Sequence, residues 1–207
     1  MKIRPLSIDG AWEITPQQYG DPRGLFMEWY RFDRLAAAVG HPLRLPQGNL
    51  SVSAQGVVRG IHFADVPPGQ AKYVTCVRGA VIDMVVDVRV GSPTFGQWEA
   101  SRLDDVDRRA LYLGEGLGHG FCALTEDATL SYLCSTTYNP TAEHAVHPLD
   151  PQLAIDWPAR VPLLSTRDAA APSLAQARTA GLLPDYQTCR SFVASLNSGA
   201  TPYSDGR

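Results

Sequence analysis

Between Ala71 and Val90 the chain alternates with period two, placing Ile82, Met84, Val86 and Val88 on one face of an extended segment and Asp83, Val85, Asp87 and Arg89 on the other. A helix cannot gather those apolar residues on one side, so the segment is strand. Turn clusters at Pro67-Pro68-Gly69, Arg78-Gly79, Gly91-Ser92-Pro93 and Gly114 to Gly120 cut the region into short pieces. No helical crossover separates them in the βαβ manner, and the pattern predicts an antiparallel sandwich or barrel. Helical spacing is confined to the flanks. Phe32, Leu35, Ala36 and Val39, closed by Gly40, predict a short helix over residues 31–39. Ser173 to Ala180, closing on Gly181, and Thr188 to Leu196 predict two more, followed by a small, polar, frayed end from Ser198 to Arg207.

A length of 207 residues, 44% of them hydrophobic, is enough for a single core. We read one domain, 1–207, of which 170–207 is a helical and partly frayed extension. The net charge of -3 offers no basic surface for nucleic acid. Met1 to Gly10 lacks the apolar core of a signal peptide, and no run approaches the roughly 20 apolar residues of a membrane span, so the expected setting is cytoplasmic, with no membrane partner. Cys76, Cys122, Cys134 and Cys189 form no CxxC pair and read as buried free thiols. Among 18 basic residues only Lys2 and Lys72 are lysines, which draws attention to Lys72.

Within the β-rich region, Gly56-Val57-Val58-Arg59-Gly60-Ile61-His62-Phe63 sets an arginine and a histidine into an apolar strand, where an unpartnered polar group costs several kcal/mol, roughly. The glycines of Gly114 to Gly120 do not make a nucleotide loop, because Phe121 to Leu133 reads as further strand where a helix would be needed; a β-turn presenting His119 fits them better. The ligand pair of a metal-holding barrel is missing: His62 is followed by Phe63, Ala64 and Asp65, so a metal would require His119 and His144 to be recruited from elsewhere. No GxSxG elbow is present. Acid–base chemistry is the remaining class. His62 has the intrinsic pKa of a general base, and Tyr132, on a strand read as Ala128 to Tyr138, has the chemistry of an acid. On that strand Tyr132 and Tyr138 share a parity and should point to one side. Taken alone, a lone histidine and a strand tyrosine such as His62 and Tyr132 are more often satisfied core residues than catalytic ones.

Several segments together resemble the family of dTDP-4-keto-6-deoxyglucose (dTDP-4-dehydrorhamnose) 3,5-epimerases. They are Asp21 to Phe26, Gln47 to Ser51, Gly56 to Phe63, Gln70 to Lys72, Gly91 to Gly96, Gly118 to Phe121 and Leu164 to Asp168, in the family's order from about residue 20 to 170. The resemblance implies an all-β, cupin-like jelly roll, a homodimer with exchanged N-terminal strands, and a reaction without metal or other cofactor on dTDP-4-keto-6-deoxyglucose. Position by position it implies that His62 is the base, Asp168 its carboxylate partner, Tyr132 the acid and Lys72 the cation beside the C4 oxygen. It also implies diphosphate contacts from Arg23, Arg59 and Arg167, nucleotide contacts from Glu28, Gln47, Asn49 and Glu143, aromatic walls from Phe26 and Tyr138, and a sugar contact from His119.

Two departures stand out. Gln47-Gly48-Asn49 lacks the aspartate common in the family at its centre, and Arg167 stands where lysine is frequent. The details around Gly56 to His62 and Pro67 to Val74 are most similar to the antibiotic-deoxysugar branch, in which C3 alone, C5 alone or both carbons are inverted. The expected activity is inversion at C3, or at C3 and C5. The alternatives are C5-only epimerisation, a 3,4-ketoisomerase of the same nucleotide sugar, and a sugar-nucleotide binding module without turnover. Strict alternation would put Arg59 and His62 on opposite faces of their strand. If both face one site, the backbone at Gly60 must depart from regular strand geometry.

Overall fold

The alternating residues build two facing antiparallel sheets in the structure, a computed structural model that describes residues 1–197. In spatial order the first holds β1 (Lys2–Pro5), β2 (Ala11–Thr15), β10 (Ala110–Leu113), β7 (Lys72–Arg78), β12 (Ala128–Cys134) and β5 (Gln47–Ser53). The second holds β13 (Glu143–Ala145), β6 (Val58–Ala64), β11 (Gly118–Ala123), β8 (Ala80–Val86) and β9 (Trp98–Asp104). A separate hairpin, β3 (Gln18–Asp21) with β4 (Gly24–Met27), pairs with neither. The chain passes from one sheet to the other at Gly79, whose φ of +73° suits glycine.

Both faces of both sheets are largely covered. Val74, Cys76, Leu111 and Leu130 of the first sheet meet Val81, Val85, Leu103 and Phe121 of the second in a closed interior. The outer face of the second sheet, carrying Val58, Ile61, Met84 and Val86, is roofed by Leu153, Trp157, Leu174 and Ala177. Helix α1 (Phe32–Val39) lays Leu35 and Val39 on Ile14, Tyr73 and Tyr112 at the back of the first. This explains the β8 pattern: its apolar face lies under the C-terminal segment, and its mixed face, Val81-x-Asp83-x-Val85, points between the sheets rather than to solvent.

Helix α1 ends on Gly40 in the left-handed conformation, and α3 (Leu174–Thr179) is held by a Ser173/Gln176 capping box. Helix α4 (Tyr186–Asn197) starts two residues earlier than its spacing predicts, because the Asp185 carboxylate accepts the Thr188 N–H at 2.8 Å. One turn, α2 (Thr166–Ala169), has no hydrophobic period to betray it and is held by the Ser165 cap. The frayed end read over Ser198 to Arg207 lies outside the described residues.

Two expectations are corrected. The strand read as Ala128 to Tyr138 stops at Cys134: Ser135 still bonds Ala71, but the Thr136 side chain turns to the Gly69 carbonyl and the ladder ends, leaving Tyr138 in an irregular segment. His119 does not stand in a turn; it lies inside β11, buried. The glycines there serve close packing instead, since a Cβ on Gly118 or Gly120 would stand 2.6 or 2.7 Å from Ile61.

Gly60 does break its strand. The β6–β11 register pairs His62 with His119 but Arg59 with Phe121, so β6 carries one extra residue, and Gly60 has φ +131°. A Cβ there would lie 2.6 Å from the Gly120 Cα and 2.8 Å from the His119 carbonyl. We expect Gly60→Ala to cost roughly 3 kcal/mol or more, as strain and backbone displacement combine. Its denaturation midpoint should fall well below wild type; an unchanged midpoint would mean the close approach is not needed.

Candidate active site

At one end of the sandwich the inward positions switch from apolar to polar. Period two aims Gln47, Asn49, Ser51 and Ser53 inward along β5 while Leu50 and Val52 face out, and the extra residue at Gly60 lets Arg59 and His62 share the inner side. Lys72 opens β7, and Tyr132 and Cys134 close β12. The resulting cavity is bordered by Gln47, Asn49, Arg59, His62, Gln70, Lys72, His119, Phe121, Tyr132, Cys134, Tyr138 and Glu143.

His62 Nε2 lies 2.7 Å from Asp168 Oδ1. Asp168 is presented by α2, its N–H bonded to Ser165 Oγ at 3.0 Å, and its side chain is 3% exposed against 33% for His62. Burial pushes the Asp168 carboxyl upward, but the bond to His62, with help from Ser165 and the Gly60 backbone, outweighs it and holds the group below the ordinary carboxylate range. Burial likewise drives the His62 imidazole below its ordinary value, with Lys72 adding to the effect and Asp168 opposing it. The pair is therefore an ionised carboxylate orienting a neutral imidazole.

Across the cavity, on the other sheet, the Tyr132 hydroxyl lies 2.6 Å from Ser51 Oγ, and its ring meets His119 edge-on at 6.1 Å. Burial raises its pKa, so the phenol stays protonated. Lys72, on β7 beside β12 in the same sheet as Tyr132, also borders the cavity; burial lowers its pKa, while Cys134, Glu143 and Asp83 pull it back up.

His119 borders the cavity, but Nε2 is engaged with both Asp83 oxygens at 2.9 Å. Asp83 is completely buried and its pKa is raised, chiefly by that burial, against His119 and Lys72. Neither Asp83 nor Ser51 was picked out from the sequence as a site residue. A carboxylate in the apolar run Val81-Ile82-Asp83-Met84-Val85 was the available signal, since a buried acid demands a partner.

Four expected residues are not brought to this cavity by their own chain. Arg23 is ion-paired with Asp21 at the tip of the β3–β4 hairpin, and Phe26 on the same hairpin is 68% exposed. Glu28 pairs with Arg31 at 3.4 Å. Arg167 turns to the Glu143 carbonyl at 3.3 Å, tying α2 to β13. The hairpin makes no strand pairing that would hold it against the cavity, and no periodicity reveals that. Among the described residues, no three His, Cys, Asp or Glu side chains are grouped as a metal-ligand set, and no helix is long and apolar enough to cross a membrane.

Residues 5–176 match the family model of dTDP-4-dehydrorhamnose 3,5-epimerase. The chain belongs to this family. It is 69% identical over 193 residues to a dTDP-4-dehydrorhamnose 3-epimerase of Streptomyces niveus, covering 93% of each chain. Its fold superimposes with a TM-score of 0.90 on NovW, a 4-keto-6-deoxy sugar epimerase from the novobiocin gene cluster of Streptomyces spheroides (70% identity; 91% of this chain, 95% of that one). It also matches ChmJ, a 3'-monoepimerase of Streptomyces bikiniensis solved with dTDP-quinovose (TM-score 0.91, 51% identity; 94% and 98%). The cupin jelly roll expected from the resemblance is thereby established.

Against the epimerase pattern, the glycine at position 48 is benign for the cavity. Gly48 has the outward parity of Leu50, so an aspartate there would point away from Gln47 and Asn49. The four cysteines of this epimerase are free and buried.

Proposed function

We propose that the chain is an epimerase that inverts C3 of dTDP-4-keto-6-deoxyglucose in the making of a deoxysugar for a secondary metabolite. The observation that carries the proposal is the opposition of His62 and Tyr132. One enters the cavity from β6 and the other from β12 on the facing sheet, and Lys72, on β7 beside β12, lines the same cavity. Inversion needs a base on one face of a planar intermediate and an acid on the other.

The C4 ketone acidifies the C3 proton. With Nε2 bonded to Asp168, the other ring nitrogen, Nδ1, takes that proton, and Asp168 stabilises the imidazolium formed. The enolate oxygen lies against the Lys72 ammonium, and such a preorganised donor is worth about 3 to 4 kcal/mol to the transition state. Tyr132 then delivers its proton from the opposite side. Arg59, held at 3.1 Å by Ser53 Oγ, faces the diphosphate, and Gln47, Asn49, Glu143 and Tyr138 frame the nucleotide.

The test is incubation with the ketosugar nucleotide in deuterated water, with NMR to locate the label. Deuterium at C3 of an inverted product is expected. Label and inversion at C5 alone, or a carbonyl moved to C3, would replace the proposal with a C5-epimerase or a ketoisomerase. The absence of any exchange would leave only a binding module.

A homodimer completes this reading. Among the described residues β5 ends its sheet with an unpaired edge beside the cavity, with Leu50 65% and Val52 55% exposed, while the β3–β4 hairpin carries exposed Tyr19, Leu25 and Phe26. A partner's hairpin laid on that edge would bring Arg23, Phe26 and Glu28 to the site. Sedimentation equilibrium should give a dimer; a monomer at micromolar concentration would remove those three residues from the site.

A further inference from the structure

Glu115 is a buried acid that the reaction above does not use. It is 2% exposed, and among the described residues its Oε2 has no hydrogen-bond partner. It lies beneath the segment leading into β7: a Cβ on Gly69 would stand 2.5 Å from Glu115 Cγ, so only glycine, here at φ +69°, lets the two pack. The same segment is fastened by Ser135, whose Oγ accepts the Ala71 N–H at 2.8 Å and whose N–H donates to the Ala71 carbonyl at 3.0 Å. Thr136 Oγ1 donates to the Gly69 carbonyl at 2.9 Å. The next rung of this ladder pairs Cys134 with Lys72. The Ser135 side chain acts on the Glu115 carboxyl, lowering its pKa, and this links Glu115 through Ser135 and Ala71 to Lys72.

We propose that Glu115 is a positioning residue, holding Lys72 in place through Ser135 and the Gly69–Ala71 segment; this rests on the epimerase reading of Lys72. The neutral carboxyl is the form that fits. Around it stand Ser135 after β12, Gly69 and Val66 before β7, and on α4 Cys189, whose thiol burial pushes up to about 11 and so keeps neutral. Arg89, beside Gly116, is committed to Asp87 at 2.8 Å. Burial pushes the Glu115 pKa up to about 7, with its own backbone N–H and then the Ser135 side chain opposing it. As pH rises through that value an unpaired charge forms under the segment, and relieving it displaces Gly69–Ala71 or admits water. Lys72 then loses its register with the enolate oxygen, and turnover falls on the alkaline side.

The scarcity of lysine makes this directly observable. Protein labelled with carbon-13 at lysine Cε gives two side-chain signals, from Lys2 and Lys72, assigned through Lys72→Arg. We expect the Lys72 signal of the full chain to shift with an inflection near pH 7 that Glu115→Gln removes. Lys72 also senses His62, Asp83, Glu143, Cys134 and Arg167, but those groups are common to both proteins, so the difference isolates Glu115. Ser135→Ala, which deletes a side chain that lowers the Glu115 pKa, should move the inflection to higher pH. In turnover, Glu115→Gln should keep its kcat above pH 7 where wild type declines, with KM unchanged, whereas Glu115→Ala should lose between about tenfold and a hundredfold in kcat. An inflection that survives Glu115→Gln, or one that Ser135→Ala leaves in place, overturns the proposal. The NMR titration needs no substrate, so a wild type that fails to incorporate deuterium would sink the epimerase reading separately from this one.

Discussion

Replacing His62 with alanine is expected to lower turnover about ten-thousandfold, the upper range for a general base, and to abolish deuterium entry at C3. The effect is placed at that limit because the cavity offers no ready substitute. Asp83 is locked to His119, and Glu143, partly exposed, is within reach of the Gln70 amide at 3.4 Å. The pH dependence carries a second signature. The imidazole must be neutral to act, so activity rises as pH climbs through the His62 pKa, which burial has pushed below its ordinary value. Asp168→Asn removes the one interaction that pulls that pKa upward and leaves burial and Lys72 unopposed. The acid limb of its kcat profile should therefore move to lower pH, while the plateau drops roughly a hundredfold because the imidazolium loses its counter-charge. A limb that stays fixed in Asp168→Asn would mean the titrating group is not His62. Exchange that persists in His62→Ala would assign the base elsewhere.

What could be read in advance divides along a physical line. Strand periodicity reports which residues share a face, and it placed β7, β8 and the glycine problem at residue 60, because one inserted residue inverts every later parity. It does not report whether a face meets solvent or another layer. The period of β8 therefore does not say that Asp83 is sealed inside with His119; only the carboxylate's place in an apolar run points that way. Charge spacing within the chain is equally silent on long-range pairs: His62 and Asp168 are 106 residues apart, and only family resemblance joined them before the structure did. The capped turn Ser165 to Ala169 is too short for any helical period, yet it is what aims Asp168. Arg23, Phe26 and Glu28 fail differently, since a hairpin unpaired to its own sheets has no partner within one chain to reveal where it docks. The end of β12 was misplaced because Thr136 prefers a loop carbonyl over the ladder, a choice made by Gly69 rather than by the strand itself.

Tyr132→Phe should separate two steps that wild type couples. The phenylalanine keeps the ring beside His119 and removes only the hydroxyl that Ser51 holds at 2.6 Å, so His62 and Lys72 still form the enolate. With the acid gone, the proton returns from His62 to the face it left. Epimer formation is expected to fall by about three to four orders of magnitude, while deuterium continues to enter C3 of the uninverted ketosugar. Proton NMR of the recovered substrate measures the exchange, and the product's ring couplings measure the inversion. Loss of both together would show that the Tyr132 hydroxyl is needed to form the enolate, and inversion at the wild-type rate would place the acid on another residue. Burial sets this phenol above its ordinary pKa, so it stays protonated through neutrality and a decline in wild-type kcat near pH 7 cannot be its titration. That decline should persist in the residual exchange of Tyr132→Phe and vanish in Glu115→Gln, which distinguishes a proton donor in the cavity from a buried carboxyl acting through Lys72.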